Sequence, residues 1–320
     1  MWFRNFRICN YLILHRVHDN KRYINYTWFV LIMVFLVIIA GGVVRMTQSG
    51  MGCPDWPTCF GKWIPPTSAD QLPPDFEKYL EAQDIDHTFN AYHTWIEYIN
   101  HLLGALLGVF IFIHFIWSFI KFRKRDKMIF WLSLFLLLSV GFQGWLGKKV
   151  VDANLAVVKV TTHMLVALLI AAIPLIIINR LRKNERVRSK ALVQASTIMI
   201  VVLLLQITLG TQVREQIDEI SKPLKYSQRE TWIGQLDNMF LLHRSFSWAI
   251  LTGCLFLVWK GWPFEALRKN LLLVITSVGL VIAAGLIMAF NNIPAWAKPL
   301  HLLTASILVL AVFSLRLKLK

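Results

Sequence analysis

Four histidines, His101, His163, His243 and His301, each stand a turn or two inside the start of a long apolar stretch, and those four stretches alternate with four others. An imidazole is costly in hydrocarbon, so four at matching depth require a shared purpose. Two large flat metal complexes, most economically two haems gripped by a pair of histidines each, meet that requirement. A single membrane histidine can simply hydrogen-bond to a neighbouring helix; four in register are harder to explain that way. Zinc and copper also accept imidazole, yet each half of the chain offers only two well-placed histidines and no intramembrane cysteine beside them.

Glu97 lies four residues before His101, one turn away on the same helix face. A carboxylate at the edge of a porphyrin could accept a proton or stabilise positive charge developing on the ring. It could equally pair with a neighbouring cation or orient His101. The other half has no such group, because Met239 stands four before His243 and Ala297 four before His301. This asymmetry suggests one reacting haem and one that only passes electrons.

Haem propionates need cations at the membrane surface. Arg45 and Arg214 end apolar stretches at the outer interface and are the favoured propionate partners, with Lys148, Lys149, Lys159, Arg244 and Lys298 near the same level. Cys53 and Cys59 bracket Pro54–Thr58 in the first outer loop, an oxidising location where a short-loop disulfide can form. A structural staple and a reducible redox pair are both open readings. His114 lies deeper than His101 on another face and reads as structural; His93 could line the mouth of the site, and His15, His18 and His87 read as solvated.

The elements that must position these groups follow from composition. The 320 residues are 56% hydrophobic, and eight stretches can cross a hydrocarbon layer of ~30 Å. They lie near Thr27–Val44, Trp95–Ile120, Lys127–Gly147, Leu155–Asn179, Ala191–Gly210, Asn238–Trp259, Asn270–Phe290 and Pro299–Leu317. The net charge of +16 sits in short alternate loops and at both ends. It therefore reads as an orientation signal placing both termini in the cytoplasm, not as a nucleic-acid surface. The segment before Tyr26 has no apolar core ending in a small-residue cleavage site and is expected to stay uncleaved.

The chain repeats weakly. Gly41-Gly42-Val43-Val44-Arg45 leaves the first span as Gly210-Thr211-Gln212-Val213-Arg214 leaves the fifth, and the histidines recur on spans two, four, six and eight. Gln143-x-x-Leu146-Gly147 and Gln206-x-x-Leu209-Gly210 end the third and fifth spans, where small residues permit close approach of a helix or a planar ligand. The expected fold is an all-α integral membrane protein of eight transmembrane helices, arranged as two pseudo-symmetric four-helix bundles. Residues 1–26 form a cytoplasmic segment, 27–180 one half with outer loop 45–94, and 181–320 the other half with outer loop 211–237. A short amphipathic helix near Pro74–Gln83 is expected over the first site, and the loop 211–237 is expected to cap the other half.

Together, Gly-Gly-x-Val-Arg45, Glu97-x-x-x-His101 with Leu-Leu-Gly after it, Gln143-Gly-x-Leu-Gly147, His163, Gln206-x-x-Leu-Gly210 with Val213-Arg214, His243-Arg244 and His301 resemble the haem A synthase family of bacterial and mitochondrial membranes. The resemblance spans nearly the whole chain. It implies oxidation of the C8 methyl of haem O to a formyl group, giving haem A for terminal oxidases, and so an oxidoreductase of the bacterial cytoplasmic (inner) membrane. It assigns His101 and His163 to the substrate haem, His243 and His301 to haem B, and Glu97 to the essential carboxylate. Haem O synthase and oxidase assembly proteins are implied as partners, beside an unnamed electron acceptor and the lipid bilayer; a homo-oligomer is left open. The Cys53/Cys59 pair looks like that of members with a cysteine pair in this loop, although the Cys-x5-Cys spacing and the long acidic loop depart from the short members. Two other readings stand beside it: a two-haem b-type electron-transfer cytochrome, and a transporter built on an inverted repeat, against which two halves repeated in the same orientation argue.

Overall fold

In the computed structural model the described residues are 2–77, 89–153, 155–182 and 186–320, with side chains from Asn20 onward. Eight long helices account for most of them: α1 Trp2–Met46, α2 Ala91–Phe122, α3 Lys127–Val151, α4 Val157–Arg182, α5 Lys190–Ser221, α6 Asn238–Gly261, α7 Arg268–Phe290 and α8 Ala297–Leu317. All eight are long and apolar enough to cross a membrane. The protein is a multi-pass, all-α membrane protein, and large apolar side chains such as Ile120, Trp131 and Phe290 lie on its outside, where lipid tails would meet them.

Local chemistry sets the helix starts. Asn90 caps α2 by accepting from the Tyr92 and His93 amides, and Asp126, Ser189 and Asp237 cap α3, α5 and α6 in the same way. Two helices overrun their apolar stretches. α1 begins at Trp2, ahead of the apolar stretch that starts near Thr27, because no glycine or proline interrupts the chain before Gly41, so residues 2–26 continue the same helix. α5 runs past Gly210 to Ser221, supported by the Arg214–Asp218 pair one turn apart, and stops before Pro223. The helix expected near Pro74–Gln83 lies largely outside the described residues, as does His87.

α1 to α4 pack in one ring and α5 to α8 in another; α1 meets α8, and α4 meets both α5 and α8, where the rings join. One apolar core fills each ring, and each borrows from the other: Leu168 of α4 lies in the second core and Leu310 of α8 in the first. Thr161 and Thr211 share a hydroxyl contact of 2.7 Å across the seam.

The buried positions of the two rings coincide under constant shifts. On α1 and α5, Tyr23, Thr27, Val30 and Val34 pair with Leu192, Ser196, Met199 and Leu203. Leu107, Ile111, His114 and Ser118 of α2 pair with Ile250, Cys254, Leu257 and Gly261 of α6. On α3 and α7, Ser133, Leu136 and Ser139 pair with Leu271, Val274 and Ser277, and on α4 and α8, Ile170, Ala171 and Ile173 pair with Leu308, Val309 and Ala311.

Candidate functional site

Three of the four histidines sit in matching seats. Gln143 and Gly147 lie one turn apart on α3; the Gln143 amide donates to the His163 carbonyl at 3.0 Å, and a Cβ added to Gly147 would stand 3.3 Å from the His163 ring. On α5, Gln206 donates to the His243 carbonyl at 2.9 Å, and a Cβ on Gly210 would stand 3.1 Å from that ring. On α7, Val281 and Gly285 hold the same spacing: His301 Nδ1 lies 3.1 Å from the Val281 carbonyl, and a Cβ on Gly285 would be 3.4 Å from the ring. The glycines thus serve close approach of an imidazole, and the Gln-x-x-Leu-Gly pattern is a histidine seat.

His243 and His301 face each other with ring centroids 6.4 Å apart. Two imidazoles sharing one metal through bonds of about 2 Å hold their ring centres roughly 6 Å apart, so this pair fits a shared centre. The Nδ1 atoms of His163 and His243 are buried without a hydrogen-bond partner among the described residues, a cost that a bound group could relieve. Among those residues no three of His, Cys, Asp and Glu cluster closely enough to hold a metal ion. A metal held between His243 and His301 would therefore find no third ligand of these types among the described residues.

The surroundings of His101 differ. Its Nε2 lies 3.6 Å from Glu97 Oε1, and Glu97 itself is only 3% exposed. The other carboxylate oxygen accepts the Cys53 backbone amide at 2.7 Å. That amide is delivered by the loop between α1 and α2, which crosses the start of α2 at Gly52. Thr94 donates to the Gly52 carbonyl at 2.8 Å, and a Cβ on Gly52 would fall 2.5 Å from the His93 carbonyl carbon, so only glycine fits there. His93 is half-buried and does not line the cavity below.

Cys53 and Cys59 form a disulfide. Asp55 inside the ring accepts the Phe60 and Gly61 amides and the Thr58 hydroxyl, which fixes the loop. The loop roofs a cavity of about 220 Å³ lined by Cys53, Pro54, Asp55, Trp56, His101, Lys148, Val151 and Asp152. The His101 imidazole and Lys148 line this cavity beside Asp55 and Asp152, and Glu97 stands behind His101, 3.6 Å from its Nε2.

Arg45 and Arg214 do not stand alone at their ends of α1 and α5. Both engage Asp218, at 2.5 and 2.7 Å, and so join α1 to α5 across the two rings. Lys298 contributes to the field at Asp218, leaving three cations around one carboxylate. Among the described residues Arg214 Nη1 is buried without a partner and could meet a further anion. Asp218 was not evident in the sequence, since only the folded arrangement brings Arg45 to it. Of the expected loop 211–237, residues 211–221 belong to α5; the segment 222–237 carries fully buried Trp232, while Arg229 donates to the Ile293 carbonyl at 3.2 Å. His114 lies 3.1 Å from Thr27 Oγ1 and 3.4 Å from the Tyr23 hydroxyl, a satisfied core histidine.

Comparison with known proteins agrees with this architecture. The family model described as COX15-CtaA, cytochrome oxidase assembly protein, matches residues 24–313. A Heme A synthase of Sphingopyxis alaskensis is 24% identical over 88% of this chain and 87% of its own length, and one of Orientia tsutsugamushi is 25% identical over 88% and 91%. A Heme A synthase of Shewanella oneidensis is 30% identical over 58% of this chain, which spans about half, 55%, of that relative. The chain belongs to the COX15-CtaA family of cytochrome oxidase assembly proteins, the haem A synthase family.

Proposed function

We propose that this protein is a haem A synthase that oxidises the C8 methyl of haem O, through an alcohol, to the formyl group of haem A. The observation that carries this reading is Glu97: a buried carboxylate between a backbone amide and His101, beside a cavity, in one half only. In the second half the same helix face carries Phe240. His101 and His163 hold the substrate haem, and His243 and His301 hold haem B. When bound, haem B supplies an electron acceptor beside the substrate. Arg45 and Arg214 receive propionates, for which the excess of cations around Asp218 is suited.

Glu97 is the catalytic group. Its Oε2 is held by the Cys53 amide, leaving Oε1 on the His101 side to accept a proton or stabilise positive charge at the reacting carbon. Residues 27–180 then form the reacting half and 181–320 the conducting half, in the bacterial inner membrane with both termini cytoplasmic, where the basic loops lie. Haem O synthase and oxidase assembly proteins are the partners expected for delivery and use of the pigment.

The matching seats of His163 and His243 favour one competing reading, an electron-transfer cytochrome with two ordinary haem B groups. Extracting the pigments of the purified protein and weighing them separates the two. Haem O or haem A beside haem B supports the synthase; haem B alone removes it.

A further inference from the structure

The two halves keep a common register on every spanning helix, and the histidines leave it at one point. The shift that pairs Leu107, Ile111, His114 and Ser118 with Ile250, Cys254, Leu257 and Gly261 is 143 positions at each pair. Under it the counterpart of His243 is Asn100, and that of His101 is the exposed Arg244. His163 and His301 keep their register, separated by the 138 positions that relate Leu136 to Val274 and Ile170 to Leu308.

The seats tell the same story. Gly41 of α1 is the counterpart of Gly210, by the 169 positions that relate Val34 to Leu203. A Cβ on Gly210 would touch the His243 ring, whereas a Cβ on Gly41 would have nothing within 4 Å. Val37 stands where Gln206 clamps the His243 carbonyl. Asn100 Oδ1 is buried without a hydrogen-bond partner among the described residues. His101, one residue and about 100° further around the helix, points to Glu97 and the cavity instead.

We infer that Asn100 occupies the iron-facing position of α2, so that the first site holds its haem by one firm imidazole, His163, and one releasable imidazole, His101, which Glu97 claims when it is free. This rests on the haem reading above. A substrate must enter and a product must leave this site, and a ligand without a glycine seat or an amide clamp lets them do so. The second site, seated on both sides, keeps its haem.

Carbon monoxide tests this on the reduced, purified full-length protein, because it binds haem iron whose sixth ligand leaves readily. One haem of the two should take it. The double variant Asn100→His/His101→Arg recreates the His243-Arg244 pattern and should lower that reactivity about tenfold or more, with the first haem turning fully low-spin. His101→Ala, which needs no new packing, should keep the first haem on His163 and bind carbon monoxide at least as well. Two loaded haems that both refuse carbon monoxide would overturn the inference, as would unchanged reactivity in the double variant. Two haem B groups by mass, with one still reactive, would sink the synthase reading and leave the ligand inference standing; a colourless protein would remove both.

Discussion

The two four-helix halves use the same helices differently. Both seat an imidazole over a glycine one turn beyond the residue that fixes the histidine, as Gln143/Gly147 do for His163 and Val281/Gly285 do for His301. They diverge at Glu97 against Phe240, at the disulfide loop, which has no counterpart over α6, and deeper at a buried polar cluster. The Tyr23 hydroxyl bonds both His114 and Ser133 in the first half, where Leu192, Leu257 and Leu271 pack in the second. A repeated frame supplies the paired seats, and the substitutions within it make the two halves chemically unequal; on the proposed function, that inequality decides which of them reacts.

That contrast can be broken at its centre first. Glu97→Ala should lower haem O turnover by about a hundred- to ten-thousandfold while both haems remain, measured by product mass and absorption. Normal turnover in that variant would remove the distinction between the halves. Gly147→Leu and Gly210→Leu push a side chain into the imidazole seats, and each should cost about ten- to a hundredfold in retention of its own haem only, followed by pigment content through purification.

Smaller effects sharpen the picture. Cys53→Ser with Cys59→Ser frees the roof over Glu97 and should destabilise that loop by about 2 kcal/mol, read as faster proteolysis between Gly52 and Lys62. Because the amide that holds Glu97 is backbone, turnover should fall less than in Glu97→Ala. His114→Leu copies the Leu257 side of the comparison and should cost only about 1 kcal/mol in thermal unfolding, with turnover intact, because Tyr23 keeps Ser133.

Much of this was legible in the chain. Span number follows from apolar length, and Glu97 above His101 follows from helical spacing. Helix ends were less so: α5 continues past Gly210 because Arg214 and Asp218 favour the helix where hydropathy has already fallen. Asp218 as the shared partner of both arginines needs the meeting of α1 and α5, which no local pattern encodes. The seat of His301 was hidden because Val281 uses its backbone carbonyl, which leaves no trace in residue type. The displacement of His101 escaped for the opposite reason. A histidine draws the eye by type, whereas its register is visible only from which neighbours are buried.

The division of labour is tested most directly by weighing the pigment left in each half. His163→Ala should purify with haem B and without haem O or haem A, and His301→Ala should purify with haem O or haem A and without haem B. The same pigment retained by both variants would contradict it.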